Sequence, residues 1–377
     1  MKDVYLNQFE VIKPPYMVEQ SSLTEWIARC HMAAEAAVGA GDSSILKLFQ
    51  RYAVKETQIA TRYFENEDVK KNDFSEMQIF KINKEQPQGE NILARTQFFS
   101  EKAFNVFSRF YEKSKYKPDH LIHVTCTGYI SPSAPQRIVA DSNWQKATAI
   151  THAYHMGCYA ALPAIRLAQS VVASESIGNS SFTADIVHTE ICGLHMNPLA
   201  HTPEQMVVQT LFADGHIKYS ATAEKSLSSR NFKIVSTHER VLPDSAQDMS
   251  WVPSPWGMQM NLSREVPTKI KGHLKVFFQE LLEKSDMTLP EALASQFAIH
   301  PGGPKIIDSV QETLELNDEQ TKHSRTILRE RGNMSSATLP HVWELMLKDE
   351  KIAIGSKVVS FAFGPGLTMF GCVLEIC

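Results

Sequence analysis

Apolar runs typical of buried β-strands alternate with helix-like segments along the whole chain. In the first half such runs lie at 121–126 and 183–191, and in the second half at 297–300, 357–363 and 368–376. Segments with apolar residues at helical spacing separate them. Because strands that alternate with helices pack into sheets buried between helical layers, the pattern predicts an α/β fold.

The length of the chain favours two packed halves. Its 377 residues exceed the usual size of one domain. The composition, 43% hydrophobic and 21% charged, is that of a globular protein with a large core. The pattern changes near residue 225, so we expect one half at 1–225 and the other at 226–377.

Local patterns give more detailed expectations for single segments. Residues 22–64 and 93–114 have helical spacing, whereas the polar stretch 66–92 is typical of a loop. In the second half we expect a mobile polar stretch at 241–256 and a helix at 267–284. These assignments set the frame in which the chemical motifs lie.

Charge and cysteine usage exclude several classes of protein. The net charge is −4, and a nucleic-acid-binding protein would usually carry a basic excess. The six cysteines form no Cys-x-x-Cys pair, which argues against a zinc site or a disulfide scaffold and fits a reducing cytosol. Residues 1–7 lack the apolar core of a signal peptide, and no apolar run is long enough for a membrane span. We therefore expect a cytoplasmic protein.

Cys158 follows Gly157 and precedes an alanine- and leucine-rich segment that runs to about Ala173. The pattern suggests a strand–turn–helix elbow that presents a nucleophile at a helix N-terminus, where partial positive charge lowers a thiol pKa. A buried structural cysteine on an apolar helix is the alternative, because free cysteine is among the most buried residue types.

Two further residues are candidates for the same site. His300 ends a short apolar strand and stands directly before a Pro-Gly-Gly-Pro turn, which would project its imidazole from a sheet edge. Asn333 lies between polar residues and an apolar helix, where its amide could donate to an oxyanion. Each also has an ordinary structural interpretation: His300 as a core histidine, and Asn333 as a helix cap or turn residue.

In their flanking sequence these residues resemble a known family, the type III polyketide synthases, which are the chalcone synthase-like branch of the thiolase superfamily. The matching segments run in order along the chain: GC at 157–158, FADG at 212–215, EVP at 265–267, IHPGGPKI at 299–306, GNMSSA at 332–337 and FGPGLT at 363–368. The combination is specific, whereas His-Pro-Gly-Gly alone would not be.

The resemblance implies a fold, a reaction and three catalytic residues. The fold would be a thiolase fold with two similar halves in five alternating layers, and the protein would be a homodimer. Cys158 would accept an acyl group from a coenzyme A thioester. His300 and Asn333 would hold the thioester carbonyl of malonyl-CoA during decarboxylation, and the enolate would attack the bound acyl group to give a short pyrone or resorcinol. Apart from the CoA thioesters, which are substrates, no cofactor or metal is expected.

Further residues acquire expected roles through the same resemblance. Arg51, Lys55 and Lys305 match family positions that contact CoA, although an ordinary solvated charge is the alternative for each. His195 and Met260 align with two phenylalanines that shape the family's decarboxylation site, so this chain departs from the pattern there. Together with Ser335 they are expected to line the substrate pocket.

Three other functions remain open at this point. A 3-oxoacyl-(acyl-carrier-protein) synthase III-like enzyme would share the cysteine, histidine and asparagine but condense once, with an acyl carrier protein as a possible partner. Hydroxymethylglutaryl-CoA synthase would require an additional catalytic glutamate, and Glu190 matches a structural position better. A non-catalytic partner subunit would usually have lost the cysteine.

Overall fold

The computed structural model describes residues 2–41, 44–112, 116–178 and 181–377. Its strands are β1 (Tyr5–Ile12), β2 (Tyr16–Glu19), β3 (Thr61–Phe64), β4 (His120–Thr125), β5 (Ala149–Tyr154), β6 (Thr183–Ile191), β7 (Asp214–Thr222), β8 (Phe232–Val241), β9 (Met249–Pro253), β10 (Met258–Leu262), β11 (Gln296–Ile299), β12 (Lys357–Gly364) and β13 (Thr368–Ile376). Its α-helices are α1 (Gln20–Ala37), α2 (Ile45–Tyr52), α3 (Ile92–Tyr111), α4 (Ala134–Asp141), α5 (Ala161–Glu175), α6 (Pro203–Leu211), α7 (Val266–Ser285), α8 (Leu289–Leu293), α9 (Pro304–Leu314), α10 (Asp318–Arg331) and α11 (Thr338–Lys348).

Nine of these strands form one mixed sheet in the order β11-β12-β13-β8-β1-β7-β6-β4-β5. The same pattern of pairing occurs twice in it. In the first half β4 pairs parallel with β6, which pairs antiparallel with β7, and β7 pairs antiparallel with β1. In the second half β11, β12, β13 and β8 repeat that sequence of orientations. The two sets meet where Tyr5 and Leu6 pair with Lys233 and Phe232.

Three apolar clusters show how helices cover both faces of the sheet. The central cluster contains Ile165 of α5 and Trp343 of α11, together with strand residues from both halves. One outer cluster holds α1 and α3, and the other holds α7 and α9. Successive strand side chains point to opposite faces, so in β12 Val358 joins the central cluster and Val359 the outer one. The duplicated α/β fold with five layers is therefore confirmed.

Two segment predictions are wrong. Residues 22–64 do not form one helical region, because the chain leaves α2 and forms β3, in which alternate residues Arg62 and Phe64 are buried. The stretch 241–256 contains β9, which forms a hairpin with β10 over the site. Its polar composition hid two buried side chains, Met249 and Trp256. The N-terminal strand β1 was not anticipated.

Other segment predictions hold within the described residues. Residues 66–92 form a loop with two short 3-10 turns, Glu67–Lys70 and Phe74–Glu76. The predicted helix 93–114 corresponds to α3, and positions 113–115 lie outside the described residues. The expected boundary at 225 falls between β7 and β8, and a division of the chain there stays a prediction.

Candidate active site

Cys158 lies on a sharp turn between strand β5 and helix α5. The turn contains two residues in the left-handed region, His155 with φ 61° and Gly157 with φ 82°. A Cβ atom on Gly157 would come 2.5 Å from Cδ of Pro365, so only glycine fits this position. The predicted strand–turn–helix elbow is confirmed, and it places Cys158 on the wall of a deep cavity.

The thiol of Cys158 is buried and close to two polar side chains. Its Sγ lies 3.8 Å from the Oγ of Ser335. Burial raises the pKa of the thiol to about 12, and hydrogen bonds from Ser335 and Asn333 only partly offset this effect. The expected lowering of the pKa by the helix N-terminus is therefore wrong, because desolvation outweighs it. The site contains a neutral thiol at pH 7.

Asn333 has its side-chain oxygen fixed and its amide directed at the nucleophile. The Oδ1 accepts hydrogen bonds from the backbone N–H of Ser335 at 2.9 Å and from the hydroxyl of Thr338 at 3.3 Å. The side chain also makes a hydrogen bond that lowers the pKa of the Cys158 thiol. With the oxygen occupied in this way, the amide NH₂ is the group available to the thiol or to a substrate oxygen. Asn333 is thus both a turn residue and a donor to the site.

The backbone of Asn333 is held in an equally defined way. Its N–H donates to the carbonyl of Leu211 at 3.0 Å, and its carbonyl accepts from Ala213 at 2.8 Å. A Cβ on the preceding residue, Gly332, would lie 2.9 Å from that same Leu211 oxygen. The segment that contains Asn333 is therefore fastened between α6 and β7.

His300 is buried at the end of β11 with a neutral, unpaired ring. Burial lowers the pKa of its imidazole to about 3. Neither ring nitrogen has a hydrogen-bond partner within the described part of the chain. Its own backbone N–H donates to the carbonyl of Phe361 at 2.7 Å, which fixes the residue to β12. Such a side chain is costly to bury unless a ligand completes its hydrogen bonding.

The turn after His300 approaches Asn333 through Leu211. A Cβ on Gly303 would lie 3.8 Å from Cδ2 of Leu211, whose carbonyl binds the Asn333 N–H. Cys158, Ser335 and Asn333 are in direct contact, and the His300 turn and the Asn333 segment pack on the same leucine. The fold therefore brings the three predicted catalytic residues to neighbouring segments from both halves of the chain.

His195 lines the cavity but is fully hydrogen-bonded. Its Nε2 donates to the carbonyl of Thr127 at 2.9 Å, and its Nδ1 accepts the N–H of Met258 at 3.1 Å. Burial lowers the pKa of the ring to about 3. The edge of the ring faces Trp251, with centroids 5.3 Å apart. This fixed neutral imidazole shapes the wall and has no nitrogen left for proton transfer.

The other two predicted pocket residues also line the cavity. Met260, 8% exposed, contributes its side chain from β10, and Ser335 does so beside Cys158. Sequence reasoning missed the aromatic side chains of the lining, among them Phe212 and Trp251. Phe212 forms an isolated β-bridge with Asn333. It lies in the FADG segment that carried part of the resemblance, so its place near the site could have been inferred from the sequence. Trp251 lay hidden in the segment predicted to be mobile.

Glu190 connects the two sides of the site. Its carboxylate accepts hydrogen bonds from the backbone of Cys126 at 3.0 Å and from the hydroxyl of Thr127 at 2.9 Å, and the hydroxyl of Ser336 also donates to it. Burial raises the pKa of this carboxyl, and these hydrogen bonds lower it in part. Glu190 thereby joins the end of β4 to the Asn333 segment.

The three cationic candidates lie on the surface. Arg51 is in the last turn of α2, Lys55 follows that helix, and Lys305 is in the first turn of α9. All three are exposed, and none pairs with a carboxylate among the described residues. Val54 and Ile307, which neighbour Lys55 and Lys305, belong to one apolar cluster. Both helix ends therefore border the same apolar cluster. Within the described ranges, no group of three His, Cys, Asp or Glu side chains is arranged to hold a metal.

Comparison with known proteins finds a family match in the second half of the chain. Residues 233–377 match the family described as chalcone and stilbene synthases, C-terminal domain. The resemblance seen in the motifs is therefore confirmed.

A curated relative supports the same assignment. The chain is 29% identical over 260 residues to "Probable polyketide synthase 1" of Dictyostelium discoideum, which covers 68% of this chain. The match spans 8% of that much longer protein.

Solved structures share the fold over the whole chain. The C-terminal type III polyketide synthase domain of Steely1 from Dictyostelium has a TM-score of 0.83 at 22% identity and covers 99% of both chains. PKS-I of the brown alga Ectocarpus siliculosus has a TM-score of 0.85 at 21% identity, covering 100% of this chain and 99% of its own. Tetrahydroxynaphthalene synthase of Streptomyces coelicolor has a TM-score of 0.76 at 19% identity, covering 98% and 99%. The chain has the fold of type III polyketide synthases.

Proposed function

We propose that the protein is a type III polyketide synthase that condenses an acyl-CoA primer with malonyl-CoA and yields a short pyrone or resorcinol. Cys158 attacks the primer thioester and carries the acyl group, while CoA leaves as its thiol. Malonyl-CoA then loses carbon dioxide, and the enolate carbon attacks the acyl carbonyl on Cys158. That attack forms the new carbon–carbon bond and releases the cysteine sulfur.

Two observations carry this proposal: an amide donor at a buried thiol, and an unpaired histidine ring on a neighbouring segment. The amide of Asn333 faces Cys158, and the neutral ring of His300 is buried without a partner. When malonyl-CoA decarboxylates, negative charge develops on the thioester oxygen. Two neutral N–H donors in a desolvated site stabilise such charge strongly. This reaction requires two free hydrogen-bond donors and a thiol nucleophile.

The low pKa of His300 suits this role. At pH 7 the ring is neutral, so it donates one N–H without holding a permanent positive charge in the cavity. The departing carbon dioxide leaves its electron pair on the carbon nucleophile, so no external base is needed to form it. The proposed reaction therefore uses CoA thioesters as substrates and needs no further cofactor.

We propose that CoA binds where Arg51, Lys55 and Lys305 are exposed. CoA carries phosphates, and cations without a carboxylate partner can pair with them. An acyl carrier protein is the alternative acyl donor. The charge reversal Arg51→Glu is expected to raise KM for malonyl-CoA about tenfold with kcat nearly unchanged, because the contact stabilises ground and transition states alike.

Incubation with radiolabelled malonyl-CoA and a panel of acyl-CoA primers tests the proposal. Primer-dependent release of labelled carbon dioxide is expected, and its absence with every primer would overturn the proposal. Product mass separates the alternative, a 3-oxoacyl-(acyl-carrier-protein) synthase III-like enzyme, because that enzyme adds a single extension. Full condensation activity in Cys158→Ala would instead revive a role without catalysis at this cysteine.

The remaining proposals concern assembly and location. β5 is one of the two edge strands of the sheet and carries the partly exposed side chain of Ile150, so a second copy could pair along this edge in a homodimer. Light scattering with size-exclusion chromatography tests this. No helix in the described part of the chain is long and apolar enough to cross a membrane. A cytoplasmic location stays a proposal that rests on cysteine usage.

A further inference from the structure

The cavity at Cys158 continues into the outer apolar layer of the first half. Its wall includes Leu23, Trp26 and Ile27, which lie on the buried side of α1. These residues belong to an apolar cluster that does not contain the residues around Cys158. The reacting centre is therefore connected to a second compartment, which we call the α1 branch and define by these three residues with Val69 and Phe80.

A series of contacts made by aromatic rings and by the guanidinium of Arg95 connects the region of the thiol with this branch. Trp251 donates its Nε1 hydrogen to the carbonyl of Cys126 at 2.7 Å and meets the ring of His195. Further along, the guanidinium of Arg95 lies 5.6 Å from the centroid of Trp256 and 5.2 Å from that of Phe80. Except for Arg95, these residues all line the same cavity.

Trp26 is the last ring in this series of contacts. Its ring packs edge-on against Phe80, with centroids 5.5 Å apart. Phe80 is in turn held by Asp68, whose carboxylate accepts the backbone N–H groups of Ile79 at 2.7 Å and Phe80 at 2.9 Å. The end wall is therefore rigid and can limit the length of a bound chain.

The α1 branch offers no free hydrogen-bonding group. The Nε1 of Trp26 donates to the carbonyl of Lys71 at 3.2 Å. Each side-chain nitrogen of Arg95 donates to a backbone carbonyl, among them those of Glu90 and Gln88. A hydroxyl or carbonyl of a ligand would be buried there without a partner, which is unfavourable. From the five residues that define the branch an alkyl chain would meet only carbon and aromatic surface, although polar side chains such as Arg62 and Gln209 also line the same cavity.

We propose that the primer is an unbranched aliphatic acyl group whose tail lies in the α1 branch, and that Trp26 sets its maximum length. This inference rests on the proposed function, because it takes the acyl group on Cys158 as the occupant. Each methylene buried in the branch contributes about fourfold to kcat/KM until the chain reaches Trp26. Hydroxylated aryl primers are disfavoured because their hydroxyl finds no partner.

A series of saturated acyl-CoAs from butyryl to stearoyl, with a hydroxybenzoyl-CoA, tests the proposal. In the wild-type protein kcat/KM is expected to rise with each methylene, reach an optimum and then fall. In Trp26→Ala the primer two carbons beyond that optimum should improve about tenfold. Trp26→Phe should give a smaller shift in the same direction, because it leaves part of the end wall in place.

Two matched leucines control for loss of core packing. Leu23 in α1 and Leu274 in α7 are both buried on a long outer helix, and only Leu23 lines the cavity. Leu23→Ala is expected to broaden the accepted chain lengths, whereas Leu274→Ala should lower the unfolding temperature to a similar extent without moving the optimum. The mass of the acyl group on Cys158, measured without malonyl-CoA, reports primer choice directly.

The possible outcomes separate this inference from the proposed function. Primer-dependent carbon dioxide release with an unmoved length optimum in folded Trp26→Ala would overturn the inference alone. A preference for hydroxybenzoyl-CoA would do the same. Absence of both acylation and carbon dioxide release with every primer would overturn the proposed function and this inference together.

Discussion

The 192–196 segment and the 300–304 turn each bring a histidine to the site, and the two differ in one respect. Burial lowers the pKa of both His195 and His300 to about 3. Both ring nitrogens of His195 are hydrogen-bonded, whereas the ring of His300 has no partner among the described residues. Desolvation therefore does not distinguish the two histidines, whereas their hydrogen bonding does.

The difference has an energetic side. A buried polar group without a partner costs about 1–3 kcal/mol, and a paired one does not. The fold bears this cost at His300, where a substrate oxygen could complete the hydrogen bonding. At His195 the fold uses the same side chain to connect Thr127 with the hairpin residue Met258. The 300–304 turn thus leaves a ring whose hydrogen bonding a ligand could complete, and the 192–196 segment holds the cavity wall.

The largest expected effect comes from removing the unpaired ring. His300→Gln should lower malonyl-CoA decarboxylation by about 10²–10³-fold, because one of two donors to the developing oxyanion is lost or displaced. Carbon dioxide release under saturating malonyl-CoA measures it. A loss of less than threefold would mean that the ring does not serve the reaction. The matched variant His195→Gln should stay within about tenfold of wild type, since it alters the wall only.

The amide donor of Asn333 can be tested by a variant that preserves the geometry of its side chain. Asn333→Asp keeps an oxygen for the Ser335 N–H but removes the amide donor, so decarboxylation should fall about 10²-fold. Ser335→Ala removes only the hydroxyl beside Cys158 and should cost less than about tenfold. Equal losses in the two variants would contradict the assignment of the amide as the main donor.

The state of the thiol gives a pH prediction. Because burial raises the pKa of Cys158 to about 12, the thiolate fraction should grow about tenfold per pH unit through the neutral range. The rate of alkylation by iodoacetamide between pH 6 and pH 9 should follow it without a plateau. A rate independent of pH there would instead indicate a thiolate–imidazolium pair with His300, in conflict with two neutral groups.

The dependence of stability on pH tests the titration of the two rings. The pKa of each ring is lowered from 6.5 to about 3, so between these values the unfolded chain binds a proton that the folded chain does not. Stability therefore rises with pH across that window by about 1.4 kcal/mol per pH unit for each ring, and below the window the two rings add no further dependence on pH. Urea unfolding of His195→Gln and His300→Gln should each show a shallower dependence than wild type.

At pH 8 the same two variants should differ in their free energy of unfolding. Both rings are then neutral in the folded and unfolded states, so only their hydrogen bonds matter. His195→Gln should lose about 1–2 kcal/mol because Met258 or Thr127 is left without its partner, whereas His300→Gln should lose little. Equal destabilisation at pH 8 would remove the contrast between the two segments.

The backbone turns of this site could be predicted from sequence because neighbouring residues along the chain determine them. The glycine before Cys158 fixes an elbow, and the runs around His300 and Asn333 carry recognisable backbone turns. The pKa of the thiol could not be predicted, because it depends on burial beneath segments far away in the chain. The roles of His195 and Trp251 were equally hidden, since each depends on partners from other strands.

The fold likewise has parts that could be predicted from sequence and parts that could not. Strands buried on both faces, such as β6 and β12, could be located from sequence. Strands β3 and β9 were missed because half of each faces outward and their apolar spacing is short. The connection of the cavity to α1 could not be seen at all, because Trp26 reaches it only after α1 packs beside Phe80.

Intact-protein mass spectrometry after incubation with an acyl-CoA alone tests the central claim most directly. The account predicts that the wild-type protein and His300→Gln gain the mass of one acyl group, located on Cys158 by peptide mapping, and that Cys158→Ala gains none. Acylation that persists in Cys158→Ala, or a wild-type protein that is never acylated by any primer, would contradict it.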